Sequence, residues 1–190
     1  MKTKNIELLS KVYDRNERAN SFIVKASITQ YTDIFNDLDP SPLRKRDLDQ
    51  DFIAYLVDCS LDIPLKYRLE LHIECPKEIE DRTKEERAKA GISTYCNLSM
   101  LTTREELKNS YRKAVGYAVI FIALVTIAFA FGPSFERHVI TETLREGIFI
   151  GGWVFLWEAI AIVFITNKKT ITEYRRFKRL EEAAVEFVYF

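Results

Sequence analysis

Two long apolar runs dominate the hydrophobic pattern of the chain. The first covers residues 114–131 and carries no charged side chain, and the second covers residues 147–166 and carries one, Glu158. A helix needs about 20 predominantly apolar residues to cross a hydrocarbon core, and both runs approach that length. The alternative, a pair of buried helices in a soluble domain, would need a far larger protein around them. We therefore predict a transmembrane hairpin over residues 113–166, with an outer loop at residues 132–146.

Shorter alternating stretches predict strands outside the hairpin. Apolar and polar residues alternate through residues 21–29 and again through residues 67–74, which is the period of a sheet with one covered face. Residues 185–190 form a third strand-like stretch. Residues 1–20 fit either a short helix or a strand, and the pattern leaves both open.

Capping patterns mark the predicted helices near the first span. A Ser/Thr-x-x-Glu/Gln pattern is typical of a helix N-terminus, and it occurs at Thr83 and again at Thr103. These patterns predict a helix over residues 83–100, a break near Leu101 and a second helix from Thr103. Since nothing stops the second helix before the apolar run, we expect it to continue into the first span.

Together these elements predict an α+β fold with an inserted two-helix transmembrane hairpin. A small cytosolic domain with about three strands plus helices is expected over residues 1–112. Residues 167–190 are expected to form a basic helix and a C-terminal strand that packs with this domain. The sheet would then be built from both sides of the hairpin.

Basic residues flank the hairpin and predict its orientation. Arg112 and Lys113 precede the first span, and a larger basic group follows the second. Lysine and arginine favour the cytoplasmic side of a membrane, so both termini should be cytoplasmic. The basic group can also attract anionic lipid headgroups, and its predicted contacts are Lys168, Lys169, Arg175 and Arg176.

Composition excludes several classes of protein. The 28 basic and 28 acidic residues balance, which gives no electrostatic reason to expect nucleic-acid binding. The three cysteines, Cys59, Cys75 and Cys96, form no CxxC pair, which argues against a disulfide framework and a structural zinc site. No cofactor or metal is predicted. Catalytic motifs are also lacking, so an enzyme is the least supported class.

Glu158 is the strongest single candidate for function. An ionised carboxylate near the middle of a span costs at least ~2.5 kcal/mol, so we expect it to be protonated or to line a hydrated interior. Helical spacing places it on one face with Gly147, Gly151 and Ala161, a pattern that lets helices approach closely. In the first span, Thr126 is a candidate polar partner. This face predicts either an ion path or a static oligomer contact.

The stretch DPSPLRKRDLDQD at residues 39–51 is the second candidate. Its two prolines favour a stiff, non-helical turn before a helix that should end before Pro64. Its carboxylates and cations could bind a nucleotide or phosphate; the candidate residues are Asp39, Ser41, Arg44, Arg46, Asp47 and Asp49. The alternative is a proline-stiffened loop and an acid-rich helix start with solvated charges, because opposite charges so interleaved largely satisfy each other.

One resemblance rests on this stretch. The sequence IFNDLDPSPLRKRDLDQDFIAYLVD, the later LELHI strand, the two spans and the terminal strand together cover most of the chain. They resemble an uncharacterised family of small bacterial two-span membrane proteins with an FNxLDPSP…RDLD stretch. The resemblance implies this architecture and a bacterial inner membrane, and it implies no activity.

Three functions are consistent with these features. The first is a non-enzymatic homo-oligomer in the membrane, whose cytosolic domain senses or recruits something and whose hairpins form a pore or ion path. The second is a membrane-anchored scaffold for a cytosolic protein partner. The third is a nucleotide- or phosphate-binding module at residues 39–51. The expected partners are membrane lipid, further copies of the chain and a cytosolic protein, with no nucleic acid.

Overall fold

A computed structural model describes residues 2–130 and 139–190 of the chain. It contains five helices: α1 (Lys2–Val12), α2 (Gln50–Asp62), α3 (Arg82–Ala130), α4 (Val139–Ala161) and α5 (Asn167–Glu181). Its four strands are β1 (Asp14–Asn16), β2 (Ser21–Ser27), β3 (Arg68–Cys75) and β4 (Ala184–Tyr189). Short 3₁₀ turns occur at Tyr31–Ile34 and Lys77–Ile79, and a π turn, Ile162–Thr166, joins α4 to α5.

The chain forms two compact units. The first consists of Met1–Leu101 and Tyr174–Phe190, and the second consists of Thr102–Glu173. Helices α3 and α5 each contribute residues to both units. We call them the sheet unit and the hairpin unit.

The four strands form one sheet in the order β1-β2-β3-β4. The β1–β2 pair is antiparallel, whereas β2–β3 and β3–β4 are parallel. The fold is therefore mixed α+β, with four strands where about three were expected. The predicted terminal strand is β4, which pairs with β3 from Glu70↔Ala184 to Cys75↔Tyr189. The connection between these two parallel strands contains α3, α4 and α5.

One face of the sheet carries the core of the sheet unit. Side chains from β2 and β3 pack there with residues of α2, α3 and α5 in a single buried cluster. Members of this cluster include Phe22, Val24, Leu71, Ile73, Leu56, Ile92, Cys96 and Leu180. The alternation that predicted β2 and β3 therefore marks a covered face and a polar face.

Helix α3 begins within one residue of the first capping pattern, but it does not break near Leu101 as the second pattern predicted. It begins at Arg82, where the Asp81 carboxylate accepts hydrogen bonds from the Thr83 and Lys84 amides at 2.9 and 3.2 Å. It also continues without a break past Leu101. A capping box satisfies free amides at a helix start, but the amides of an interior turn already bond the carbonyls four residues earlier. The pattern at Thr103 therefore does not start a helix.

The predicted outer loop is shorter than expected. Helix α4 begins at Val139, so residues 139–146 are helical although their charges suggested a loop. Glu, Leu and Arg are good helix formers, and charge alone does not end a helix. Residues 132–138 of the predicted loop, with His138, lie outside the described residues, as does Phe131 at the end of the predicted first span.

The sequence left open whether residues 1–20 form a helix or a strand, and the structure shows both. Residues 2–12 are helical, and a short strand follows at Asp14–Asn16. The turn from β1 to β2 ends at Asn20, whose φ of 52° lies in the left-handed region that asparagine tolerates well.

Two helical stretches are long and apolar enough to cross a membrane, judged by length and composition. They are Arg82–Ala130 and Val139–Glu181. Within their most apolar windows, only 11% and 17% of the residues are buried inside the chain. The core helices of a soluble protein would be mostly covered, so this apolar surface distinguishes the two stretches from such helices.

Candidate functional site

The two apolar helices contact each other through small and aromatic side chains in the hairpin unit. Gly152 is buried, and a Cβ at this position would lie 3.5–3.6 Å from side-chain atoms of Phe121, Leu124 and Val125. Farther along, Tyr117 packs against Phe155 with ring centroids 5.9 Å apart. Gly152 therefore lies in the contact between the two helices, where small residues are common in helix pairs.

Glu158 lies on a different face of α4. It is exposed, and it shares a stripe at helical spacing with Gly147, Gly151, Val154 and Ala161. We call these five residues the Glu158 stripe. A Cβ added to Gly147 or Gly151 would meet nothing within 4 Å. There is therefore room for a side chain above the two glycines beside Glu158, whereas the neighbouring Gly152 makes the contact within the hairpin.

Two polar side chains of α3 in the hairpin unit, Thr126 and Ser110, make different kinds of hydrogen bond. Thr126 is exposed, and its hydroxyl donates to the Ile122 carbonyl of its own helix at 2.7 Å. This hydrogen bond holds the Thr126 hydroxyl on α3 and does not join it to Glu158. Farther along, Ser110 donates to the Asn167 side-chain oxygen at 2.6 Å, and Asn167 is only 2% exposed. Asn167 directly follows the π turn, so this pair connects α3 to the start of α5.

The second candidate stretch forms a closed loop, residues 36–48, which we call the proline loop. An antiparallel bridge between Phe35 and Leu48 closes its base. Asp39 braces it internally, because its carboxylate accepts from the Ser41 amide at 2.9 Å and from the Asp47 amide at 2.8 Å. These hydrogen bonds, that from the Asp47 amide first, hold the pKa of Asp39 below its usual range.

The other candidate residues of this stretch are also used mostly by the fold. The Asp49 carboxylate caps α2 by accepting from the Asp51 and Phe52 amides, each at 3.0 Å. Arg46 donates to the Asn36 carbonyl at 2.7 Å and approaches the Asp37 carboxylate at 3.4 Å. Of the predicted ligand set, Arg44 and Asp47 are exposed, and the Asp47 carboxylate accepts from the Leu48 amide at 3.0 Å. This geometry favours the braced loop over a site for a ligand.

The proline loop is seated on α3 at Gly91. A Cβ at this buried glycine would lie 2.7 Å from the Leu43 carbonyl oxygen and 2.7 Å from a ring carbon of Phe35. Real Cβ atoms essentially never approach that closely. The close contact therefore requires glycine, and no local pattern predicts it because the two segments are far apart in the chain.

The polar face of the sheet brings His72 between carboxylates. Its Nε2 lies 3.8 Å from the Glu70 carboxylate and 3.7 Å from the Glu186 carboxylate across the β3–β4 pair. Glu70 in turn accepts from Asn16 at 3.0 Å and from the Ser21 hydroxyl. Among the described residues, no group of three or more His, Cys, Asp or Glu side chains is arranged to hold a metal ion.

The basic residues after the second apolar run lie along α5. Lys168, Lys169 and Arg175 are exposed, and Arg176 is partly buried. Lys169 is 3.9 Å from the Glu173 carboxylate on the next turn. Three of these four side chains are therefore accessible to an anionic partner.

Arg179 is the buried charge that sequence reasoning missed. It is 8% exposed, and it donates to the Ile63 and Pro64 carbonyls at 2.9 and 3.2 Å and to Ser60. These acceptors lie at the C-terminal end of α2, where the helix dipole favours a cation. Burial lowers the pKa of this guanidinium, and the charge of Arg176 lowers it further. In the sequence Arg179 is one cation among many in a basic helix, so only the tertiary structure distinguishes it.

A partly buried hydroxyl group, that of Tyr189, connects β4 to α3. The Tyr189 hydroxyl donates to the Glu85 carboxylate and lies 2.9 Å from the Tyr31 hydroxyl. Burial, followed by the hydrogen bond to Glu85, raises the pKa of Tyr189. These contacts fix the end of the last strand.

Comparison of the chain with protein-family models, with curated proteins and with solved structures finds no match.

Proposed function

We propose that this chain is a non-enzymatic integral membrane protein that crosses the bilayer twice and assembles into a homo-oligomer through the Glu158 stripe. In this proposal both termini are cytoplasmic, and the sheet unit senses or recruits a cytosolic partner. The assembled hairpins form an ion path. The observation that carries the proposal is the stripe on α4, which holds an exposed acid and two glycines where an added Cβ would meet nothing within 4 Å.

The membrane assignment is supported by uncovered apolar surface. Large side chains on both long helices remain exposed, among them Phe129 at 70%, Val154 at 63% and Trp157 at 64%. Apolar surface left in water costs about 25 cal/mol per Å², so a row of such side chains is unfavourable on a soluble protein. A bilayer removes this cost, and it also suits helices whose backbone groups are bonded within the helix.

The assembly is supported by the position of Glu158. A carboxylate facing lipid costs several kcal/mol, whereas a carboxyl group buried between helices can be hydrogen-bonded. The open space above Gly147 and Gly151 would let a second helix approach closely, as small residues do at membrane helix contacts. Self-association through this stripe would bury the acid without disturbing the Gly152 contact inside each hairpin.

The assembly is tested by counting subunits. Wild-type protein and the Gly151→Ile variant would be compared in lipid nanodiscs by mass photometry. We expect a wild-type oligomer that Gly151→Ile breaks into smaller species. Gly116→Ile is the matched control, because a Cβ at Gly116 on α3 also meets nothing within 4 Å. A monomeric wild type would contradict the proposal, and so would a Gly151→Ile oligomer of unchanged size.

The ion path is tested separately with Glu158→Gln in liposomes. Glutamine keeps the size and hydrogen bonds of the side chain but cannot carry a charge. We expect the oligomer to persist and ion flux to fall. If wild-type liposomes show no flux while the oligomer persists, the hairpins serve only assembly. The scaffold function is then favoured, and a co-purifying cytosolic protein would identify its partner.

The orientation is tested by labelling single cysteines in intact cells. Leu38 in the proline loop is 90% exposed and Glu142 at the start of α4 is exposed, so both positions can accept a reporter cysteine. The three native cysteines are buried. We expect an impermeant maleimide to label Glu142→Cys from outside and Leu38→Cys only after lysis. The reverse pattern would contradict cytoplasmic termini.

A further inference from the structure

A basic cleft lies in the sheet unit, between the start of β3 and the last turns of α5. It has a volume of about 660 Å³. Its charged lining residues are Lys66, Arg68, Arg175, Lys178, Arg179 and Glu182. Pockets for small molecules have volumes of about 300–1,000 Å³, so the cleft is large enough for a ligand bigger than a simple ion.

The lining of the cleft has an unbalanced charge. Five of its side chains are cations and one is a carboxylate, Glu182, which lies 3.7 Å from Lys178. Within the parts of the chain that the structure describes, no carboxylate oxygen lies within 4 Å of the Arg68 or Arg175 guanidinium group. Exposed cations are usually scattered and solvated, whereas these converge from two elements on one concave surface.

Arg179 adds a fixed charge to the wall of the cleft. Its partners are the Ser60, Ile63 and Pro64 carbonyls and the Ser60 hydroxyl, all of them uncharged. The guanidinium is therefore held in place and largely out of water without a neutralising carboxylate. A buried charge with only partial compensation raises the potential of the surface above it.

The loop that precedes β3 completes the cleft with the aromatic ring of Tyr67. Tyr67 is 6% exposed, and the Lys66 ammonium lies 4.5 Å from the centre of its ring. This cation–π contact holds Lys66 at the rim. The loop itself is fixed, because the Tyr67 amide donates to the Pro64 carbonyl at 3.0 Å. The cations therefore stand on a loop, a strand and a helix that are already packed together.

We propose that this cleft is a binding site for a phosphate group carried by a small ligand or by a lipid. Arg68 and Arg175 would provide the planar guanidinium donors that match phosphate oxygens, and Lys66 and Lys178 would add point charges at the rim. Arg179 acts as a positioning residue, because both of its terminal nitrogens already donate to Ser60, Ile63 and Pro64. The site does not depend on how the hairpins assemble.

Two sources can supply the phosphate group, and they differ in where the group is held. A phosphorylated solute is free in the cytosol, whereas a phospholipid headgroup stays at the membrane surface. Arg175 lies nine residues after Thr166, the last residue of the second apolar run, and so it is near the membrane along the chain. The chemistry of recognition is the same for both sources.

The test uses the full chain purified in neutral detergent. Inorganic pyrophosphate is the soluble probe, followed by titration calorimetry. Phosphatidic acid and phosphatidylcholine, added in equal amounts and followed by native mass spectrometry, are the lipid probes. The cleft variant is Arg68→Gln with Lys178→Gln, both exposed residues. The matched control is Arg87→Gln with Lys77→Gln, which also removes one arginine and one lysine, both exposed residues of the sheet unit outside the cleft.

We expect the cleft variant to weaken binding at least about tenfold, because two charge-assisted contacts are lost, while the control binds as wild type does. Pyrophosphate binding supports a soluble phosphorylated ligand, and retention of phosphatidic acid over phosphatidylcholine supports a lipid headgroup. Binding of neither probe overturns the site. Equal loss of binding in the control variant, or unchanged binding in the cleft variant, also overturns it. If the double variant does not fold, Arg175→Gln alone carries the same expectation.

Discussion

Gly91 lacks a side chain, and this allows two segments that are distant in the sequence to pack against each other. The Leu43 carbonyl and the Phe35 ring lie where a Cβ would be, so the proline loop and α3 touch through backbone. Gly152 has a comparable place in the hairpin, although a Cβ added there would lie 3.5 Å from the nearest side-chain atoms. Both contacts depend on residues far apart in sequence, and a local pattern cannot reveal them.

Gly91→Ala should destabilise the sheet unit by about 1–3 kcal/mol through overpacking, offset by up to about 1 kcal/mol of gained helix propensity. The gain cannot dominate, because one of the obstructing atoms is a backbone oxygen. Thermal unfolding in detergent, followed by near-UV circular dichroism, should show a midpoint several degrees lower. Gly116→Ala is the control, since its Cβ meets nothing within 4 Å. Equal midpoints for both variants would contradict overpacking at Gly91.

Asp39 should make the proline loop sensitive to acid. The folded loop lowers the pKa of this carboxyl, chiefly through the Asp47 amide, so ionised Asp39 stabilises the loop above the unfolded pKa of about 3.9. The contribution is lost as the pH falls through the lower, folded pKa. NMR titration should detect a pKa below 3.9 for this carboxyl and loss of the Ser41 and Asp47 amide hydrogen bonds at still lower pH. An ordinary pKa would show that these hydrogen bonds do not persist in solution.

At the scale of elements, side-chain alternation predicted the strands whose faces differ in burial. In β3, buried Leu69, Leu71 and Ile73 alternate with Glu70 and His72, and such a strand is recognisable without its partners. Strand β1 escaped prediction because its three residues, Asp14–Asn16, are all polar. It is held instead by pairing with β2 and by an ion pair of 2.8 Å between Asp14 and Lys25.

The candidate site was also predictable only in part, because periodicity shows which residues share a face but not what covers that face. Helical periodicity alone places Glu158 on one face with Gly147 and Gly151, and in the structure Glu158 and Gly147 are exposed while Gly151 is partly covered. Periodicity could not show that Gly152 would make the contact within the hairpin, since this depends on which face α3 covers. The cations of the cleft come from two segments more than 100 residues apart, so their convergence requires the fold.

Gly152→Ile should loosen the pairing of α3 and α4. The added branches would extend beyond a Cβ that already lies 3.5 Å from Phe121 and Leu124, so one helix must move. Hydrogen exchange of α4 amides in detergent should become faster than in the wild type. Gly151→Ile is the comparison, because that position has open space within the chain and its effect should fall on the oligomer instead. Identical exchange in the two variants would argue against distinct faces.

At the scale of the whole molecule, the sheet unit is assembled from two separate parts of the chain. Its last strand and the end of α5 come from Tyr174–Phe190, and the remainder comes from Met1–Leu101. Inside this unit, the Tyr95 and Phe177 rings lie 6.4 Å apart, so α3 and α5 are neighbours there. A short linker can therefore replace the hairpin unit without stretching the chain.

Residues 1–101 joined to residues 174–190 by a flexible Gly/Ser linker should fold as a soluble protein. Residues 1–101 alone should not, because the pairing of β3 with β4, the Arg179 contacts and the Tyr189–Glu85 hydrogen bond would be missing. Dispersed amide NMR signals and cooperative unfolding are expected for the joined protein only. A well-folded fragment 1–101 would show that β4 and α5 are dispensable.

The parallel pairing of β3 with β4 also sets an order of events during synthesis. Strand β3 leaves the ribosome before either apolar helix, whereas β4 is made after both. The sheet therefore cannot close until the second long helix has been translated and placed. Until then the hydrogen-bonding edge of β3 that pairs with β4 stays open, a state that proteases and chaperones recognise. Completion of the sheet thus reports, within the same polypeptide, that both long helices have been synthesised.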